Sequence, residues 1–133
     1  MNKREAMRQL RRDVSGIMET FPEFKGVVVY GSFPVSGSRP NDVDLMLVLE
    51  SDPNSKGNAK DRYLGRMNRL KDFFRNSDPN YHVYNGLFYM SDPETIVNGF
   101  EYWHVREYIF IGDREAKKVI STAVSGLAEE VRI

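Results

Sequence analysis

The sequence predicts an α/β (α+β) fold in which a small mixed β-sheet of three to five strands packs against helices. Three observations predict it: stretches with an apolar residue every third or fourth position, short runs of β-branched and aromatic residues, and turns rich in Gly and Pro between them. Helical and extended stretches alternate along the chain, which is typical of a sheet covered by helices. We expect residues 1–133 to form a single domain.

The first part of the chain is predicted to form a helix followed by two strands. Apolar residues over 7–21 share one helical stripe, and Pro22 ends that helix. Residues 27–30 (VVVY) are typical of a strand buried on both faces. A loop rich in Gly, Ser and Pro covers 31–41, and residues 42–49 (DVDLMLVL) then predict a second strand.

The second part is predicted to alternate helix and strand. The expected elements are a helix from Tyr63 to about Asn76, a strand over 81–90, a short helix after 91–94 that Gly99 ends, a strand over 103–111 and a helix over 116–131. Ser91-Asp92-Pro93-Glu94 has the form of a capping box, and Asp113 is placed to cap the last helix. We interpret the aromatic residues at 102, 103, 108 and 110 as packing residues rather than as a surface that stacks on a base.

Composition excludes several classes of site and partner. The chain has no cysteine, so disulfides and cysteine-bound metals are excluded. Nineteen basic and nineteen acidic side chains cancel, which argues against duplex DNA binding by overall charge. No apolar run is long enough to cross a bilayer and no signal peptide is evident, so we expect a cytoplasmic protein without a membrane partner. Residues 56–75 carry seven bases against two acids, which predicts a basic helix face.

The residues that point to chemistry lie between the first two strands. Asp42 and Asp44 are two positions apart on a predicted strand, so their carboxylates should share one face and one divalent cation. Gly31 and Ser32 end the preceding strand, where backbone amides and a hydroxyl can donate to phosphate. Arg39 is a further candidate phosphate ligand, although an exposed loop position is the simpler interpretation. Nucleotidyl transfer uses such a layout, because positioning and charge neutralisation supply most of the catalysis.

This pattern resembles the signature of the DNA polymerase beta-like nucleotidyltransferase superfamily, especially its minimal nucleotidyltransferase branch. The resemblance covers residues 27–48 and consists of Gly31-Ser32 after an apolar strand, nine intervening residues and then Asp42-Val43-Asp44. It implies that Gly31 and Ser32 hold the triphosphate of ATP or another nucleoside triphosphate. It also implies that Asp42 and Asp44 bind two Mg²⁺ ions, and that a helical HEPN-like protein is a possible partner.

The chain departs from that family in one respect, which leaves three functions open. Active members usually carry a third metal-binding carboxylate on a later strand, whereas the predicted strand over 81–90 has no acid and offers only His82 or Asn85. The first function is a Mg²⁺-dependent nucleotidyltransferase that moves a nucleoside monophosphate to a hydroxyl of a protein, nucleic acid or small molecule. The second is a catalytically degenerate binding or regulatory module, such as an antitoxin-like protein or a complex subunit. The third is an interaction domain that binds nucleic acid through its basic second helix.

Overall fold

The computed structural model describes residues 2–77 and 80–131, and the side chains of these residues except 85–87 and 126–131. Its helices and strands follow the predicted order. They are α1 (Lys3–Thr20), β1 (Phe24–Tyr30), β2 (Val43–Leu49), a 3-10 helix (Pro53–Ala59), α2 (Lys60–Ser77), β3 (Tyr81–Tyr89), α3 (Pro93–Tyr102), β4 (Ile109–Gly112) and α4 (Arg114–Val131). No helix in the described ranges has both the length and the apolar character needed to span a bilayer.

The strands form one mixed sheet with the order β3-β2-β1-β4. Strand β1 runs antiparallel to β2 and to β4, whereas β2 and β3 are parallel and are connected through α2. The predicted class, a small mixed sheet packed against helices, is therefore confirmed. The register places Tyr30 opposite Asp44 across β1 and β2, and Asp44 beside His82 across β2 and β3. These pairs lie where β1 ends and β2 begins.

Helices α1 and α2 cover one face of the sheet, which we call the α1–α2 face. Val27 and Val29 of β1 and Leu45 of β2 point to this face and have no exposed surface. They pack against the apolar stripes of the two helices, since alternate strand residues and every third or fourth helix residue are apolar. The phenol of Tyr63 donates a 2.8 Å hydrogen bond to the Ser51 carbonyl, which satisfies the only polar group on this buried ring.

Helices α3 and α4 cover the opposite face, the α3–α4 face. Val28, Met46 and Val48 are completely buried there against Ile96 of α3 and Ile120 of α4. The predicted cap of α4 is confirmed, because the Asp113 carboxylate accepts a 3.1 Å hydrogen bond from the Ala116 amide. Strands β1 and β2 are thus buried on both faces, which the continuous apolar run of β1 predicts.

Two expectations about element starts are wrong. Asp42 precedes β2 instead of belonging to it, because the first ladder hydrogen bond is the 2.7 Å bond from the Val43 amide to the Asn80 carbonyl. The capping box at 91–94 does not form, since the N-cap of α3 is Asp92 and its side chain makes no capping bond. The Thr95 hydroxyl ties this turn instead, by donating to the Asp92 carbonyl and accepting from the Tyr89 amide.

Two further expectations, about the end of α3 and the strand that follows it, are also wrong. Gly99 does not end α3, which continues to Tyr102. The glycine lies inside the helix because its backbone is against the ring of Phe88, which a Cβ would overlap. The strand predicted over 103–111 is confined to 109–112. Residues 103–105 instead close the helix end through backbone bonds to Gly99, Phe100 and Glu101, so only the last residues reach β1.

Candidate metal centre

Asp42, Asp44 and His82 come together at the start of β2. Each offers one ligand atom, and these atoms all lie within 4.8 Å of one another. The His82 Nδ1 atom is 3.6 Å from Asp42 Oδ2 and 3.6 Å from Asp44 Oδ1. Ligands at about 2.1 Å from one ion are separated by about 3.0 Å when adjacent and about 4.2 Å when opposite. The three side chains therefore fit a single small divalent cation with little movement.

Local structure explains why these three groups meet. Asp44 is the second residue of β2, and Asp42 comes immediately before the strand. His82 is the second residue of β3 and lies directly beside Asp44 in the parallel register. Neighbouring residues of a sheet project to the same face, so the imidazole and the carboxylate share the α3–α4 face. The side chain of Asn85, the other candidate for the third position, lies outside the described part of the chain.

Gly31 lies directly against the Asp44 carboxylate. Its φ of 74° is in the left-handed region, and a Cβ at this position would overlap Asp44 Oδ2. Only glycine therefore allows the chain to turn here while the carboxylate keeps its place. The bend after β1 and Asp44 are thus neighbours, as expected from the sequence.

Ser32 and Arg39 lie in the loop that continues from this bend. Ser32 is exposed, and its carbonyl accepts hydrogen bonds from the Ser38 hydroxyl at 2.6 Å and from the Val35 amide at 3.2 Å. The loop is therefore held in a compact turn, with the Ser32 side chain on its surface. Arg39 is also exposed, and no carboxylate oxygen lies within 4.0 Å of it among the described side chains. The structure thus brings Gly31 to the acids and leaves Arg39 at the surface.

Burial and neighbouring charges raise the pKa of two groups at the centre, Asp44 and Tyr30. Burial raises the pKa of Asp44, the charge of Asp42 raises it further, and His82 lowers it. Burial and then the charge of Asp44 also raise the pKa of Tyr30 to about 12, so this phenol stays protonated at neutral pH. A bound cation would offset the repulsion between Asp42 and Asp44.

A cleft with aromatic walls opens beside the two acids. It has a volume of about 450 Å³, and Asp44, His82, Tyr30, Tyr84 and Trp103 line it. The Trp103 ring lies 5.2 Å from the Tyr84 ring and 6.2 Å from the Tyr30 ring, measured between centroids, and 42% of Trp103 is exposed. The interpretation of Trp103 as a packing residue does not predict this cleft, because its members come from four separate parts of the chain.

No protein-family model matches the chain, and no curated protein matches it either. The function must therefore be inferred from the geometry of Gly31, Asp42, Asp44 and His82.

Proposed function

We propose that this protein is a Mg²⁺-dependent nucleotidyltransferase that transfers a nucleoside monophosphate from a nucleoside triphosphate to a hydroxyl acceptor. The observation that carries the proposal is the grouping of the Asp42 and Asp44 carboxylates with His82, together with the contact of Asp44 with the bend at Gly31. Two acids at one strand start and a glycine turn beside them supply both a cation site and room for phosphate.

Each residue would have a limited task. Asp42 and Asp44 would hold Mg²⁺, one ion or two, which neutralises phosphate charge when bound. Gly31 would let the backbone approach the triphosphate, and the exposed Ser32 hydroxyl and Arg39 guanidinium would donate to it. In the reaction, the acceptor oxygen bonds to the α-phosphorus, the bond from that phosphorus to pyrophosphate breaks, and the hydroxyl proton passes to solvent.

The aromatic cleft supports a nucleotide as the substrate. Its volume of about 450 Å³ lies in the range of small-molecule sites, and it adjoins Asp44. A base can stack on an exposed tryptophan with little preference for sequence, and Trp103 is held by Tyr30 and Tyr84. A nucleotide would then place its base near Trp103 and its phosphates near Gly31.

Labelled triphosphates test this function directly. The protein is incubated with Mg²⁺, each of the four α-³²P-labelled triphosphates and acceptors of three kinds, which are the protein itself, an RNA oligonucleotide and a HEPN-like protein. We expect label to pass to one acceptor from the wild type and not from Asp42→Asn/Asp44→Asn. The matched control is Asp61→Asn/Asp72→Asn, which removes the same charge from exposed positions of α2. Equal labelling by the wild type and the Asp42/Asp44 variant would exclude the proposal.

A binding module without turnover is the second candidate, and the presence of His82 in the third ligand position favours it. Imidazole is a poorer ligand for Mg²⁺ than a carboxylate. On this alternative the wild type binds Mg²⁺ and a non-hydrolysable triphosphate in calorimetry but transfers no label, and His82→Asp gains transfer. Absence of both binding and transfer would remove both candidates and leave only a scaffold role.

A further inference from the structure

A second charged surface lies along α1, away from the acids. Arg4, Arg8 and Arg12 are four residues apart, and Arg11 lies next to this row. A spacing of four residues brings side chains to one side of a helix, with a rise of about 6 Å between them. All four arginines are exposed, and they border a groove of about 750 Å³ that Phe33 and Val35 of the loop close on the other side. We call this surface the α1 basic groove.

The arginines of the α1 basic groove have no acidic partners among the described side chains. None of them lies within 4.0 Å of a carboxylate oxygen. Asp13, an acid of the same helix, instead accepts hydrogen bonds from Gln9 and from the Tyr81 phenol. Like charges four residues apart destabilise a helix, so this row costs stability unless an anion binds to it.

Helix α2, the basic segment noted in the sequence, differs from α1. Its Arg66 donates a 2.6 Å hydrogen bond to Glu23 and lies over the Phe21 ring. Burial and the neighbouring Arg75 lower the pKa of Lys71. Part of the α2 charge is therefore used inside the fold, whereas the α1 arginines face solvent.

The groove fits phosphate groups better than other anionic partners. Guanidinium groups bind phosphate through two parallel hydrogen bonds, and all four exposed bases named above are arginines. A bilayer surface is a poor partner, because the apolar stripe of α1, with Leu10 and Val14, is already buried in the core. The groove is also concave, and Met7, Pro34 and the exposed Val35 give it apolar walls that a base or sugar can contact.

We infer that the α1 basic groove binds the phosphate backbone of a single-stranded nucleic acid. The groove adjoins the loop that begins at Gly31, because Lys3 donates to the Val35 carbonyl at 2.9 Å and to the Ser38 hydroxyl at 2.8 Å. Ser38 in turn donates to the Ser32 carbonyl. A strand in the groove therefore runs beside the loop of the candidate metal centre, yet its binding needs neither the metal nor the proposed transferase activity.

Fluorescence anisotropy with a labelled single-stranded RNA of roughly 12 nucleotides and mixed sequence tests the inference. Measurements extend from about 50 mM to about 200 mM salt. We expect Arg8→Glu/Arg12→Glu to weaken binding at least about tenfold and to lower the slope of log K against log salt by about two. The matched control, Arg62→Glu/Arg69→Glu on α2, makes the same change in net charge and should weaken binding less than about threefold.

Three results would overturn the inference. They are no binding of the wild type to the RNA, equal weakening by the α1 and α2 pairs, and tight binding to vesicles of anionic phospholipid that the α1 pair abolishes. Arg8→Gln/Arg12→Gln gives a second test if the charge-reversed protein does not fold, as judged by circular dichroism, and should weaken binding at least about threefold. Asp42→Asn/Asp44→Asn should bind the RNA as the wild type does, so failure of the transferase proposal and failure of this one are distinguishable.

Discussion

Strand β2 shows the difference between the two faces of the sheet within seven residues. Val43, Leu45 and Leu47 point to the α1–α2 face, where they are buried to the end of the strand. Met46 and Val48 are equally buried on the α3–α4 face, but Asp44, in line with them, is partly exposed beside the cleft. One strand therefore builds a closed core on one side and a core with an open polar end on the other.

The short length of α3 explains this difference. Helices α1, α2 and α4 have 18 residues each, whereas α3 has 10 and ends at Tyr102. Beyond Tyr102, the partly exposed Trp103 lies near the end of β1 and forms one wall of the cleft. An acid at the start of β2 is acceptable on the open side, because water or an ion can solvate it there. On the closed side the same acid would be buried without a partner.

Substitution of two adjacent residues of β2 should separate the role of the closed core from that of the open polar end. It has the largest expected effect on the free energy of unfolding. Leu45→Ala leaves a cavity in the closed core and should lower the free energy of unfolding by about 2–5 kcal/mol. Asp44→Asn removes a repulsion with Asp42 and should change it by less than about 0.5 kcal/mol. Urea denaturation measures both. A loss of more than about 2 kcal/mol in Asp44→Asn would mean that the acid serves the fold.

Alkaline pH should destabilise the closed face through Tyr63. Burial and then the charge of Glu23 raise its pKa to about 12, above the unfolded value near 10. Because the pKa is higher in the folded than in the unfolded state, the protonated phenol favours the folded protein. This contribution is complete below pH 10 and is lost as the pH rises towards 12, by at most about 2.7 kcal/mol. Urea midpoints between about pH 9 and about pH 12 should therefore fall less steeply in Tyr63→Phe.

The matched control for this titration is Tyr102→Phe, since 71% of Tyr102 is exposed. It should follow the pH dependence of the wild type. Some dependence should remain in Tyr63→Phe, because Tyr30 on the other face also has a raised pKa. Identical curves for the wild type and Tyr63→Phe would contradict the assignment of the alkaline loss to the buried phenol.

Alanine substitution of two glycines in the same loop should distinguish backbone strain from steric overlap with the Asp44 carboxylate at the open end. Gly31 and Gly37 have similar φ values of 74° and 78°, so alanine at either costs about 1–2 kcal/mol of backbone strain. A Cβ at Gly37 has no neighbour within 4 Å, whereas a Cβ at Gly31 overlaps the Asp44 carboxylate. Only Gly31→Ala should therefore weaken binding of Mn²⁺, measured by calorimetry, by about tenfold or more. Equal Mn²⁺ affinity in the two variants would show that Gly31 does not position Asp44.

Much of the fold could be predicted from local pattern. The apolar stripe of α1 and the continuous apolar runs of β1 and β2 appear directly in the sequence. A helix buried on one face has apolar residues at every third or fourth position, whereas a strand buried on both faces has them at consecutive positions. The neighbouring positions of Gly31 and Asp44 could be expected from their places at the end of one strand and the start of the next. Gly99 misled the prediction, because the Phe88 ring that accounts for a glycine inside α3 is not visible in local sequence.

The remaining features of the site and of the charged helices depend on contacts that local sequence does not show. The place of His82 beside Asp44, 38 residues earlier, depends on the parallel register of β2 and β3. The pairing of Arg66 with Glu23, 43 residues away, could not be expected from local sequence for the same reason. The row of arginines on α1 is evident only when charge is considered around the helix and not along the sequence.

Removal of the His82 imidazole should have the smallest effect on the free energy of unfolding. It tests whether the open end of β2 is a metal centre of three ligands. The side chain of His82 is 69% exposed, so His82→Ala should change the free energy of unfolding by less than about 0.5 kcal/mol. Imidazole suits transition metals better than Mg²⁺, so Mn²⁺ affinity should fall about tenfold and Mg²⁺ affinity less. The control is His104→Asn, because asparagine tolerates the φ of 52° at that position. Pulsed electron paramagnetic resonance should detect a nitrogen coupled to Mn²⁺ in the wild type and in His104→Asn, and a coupling that persists in His82→Ala would show that the ion sits elsewhere.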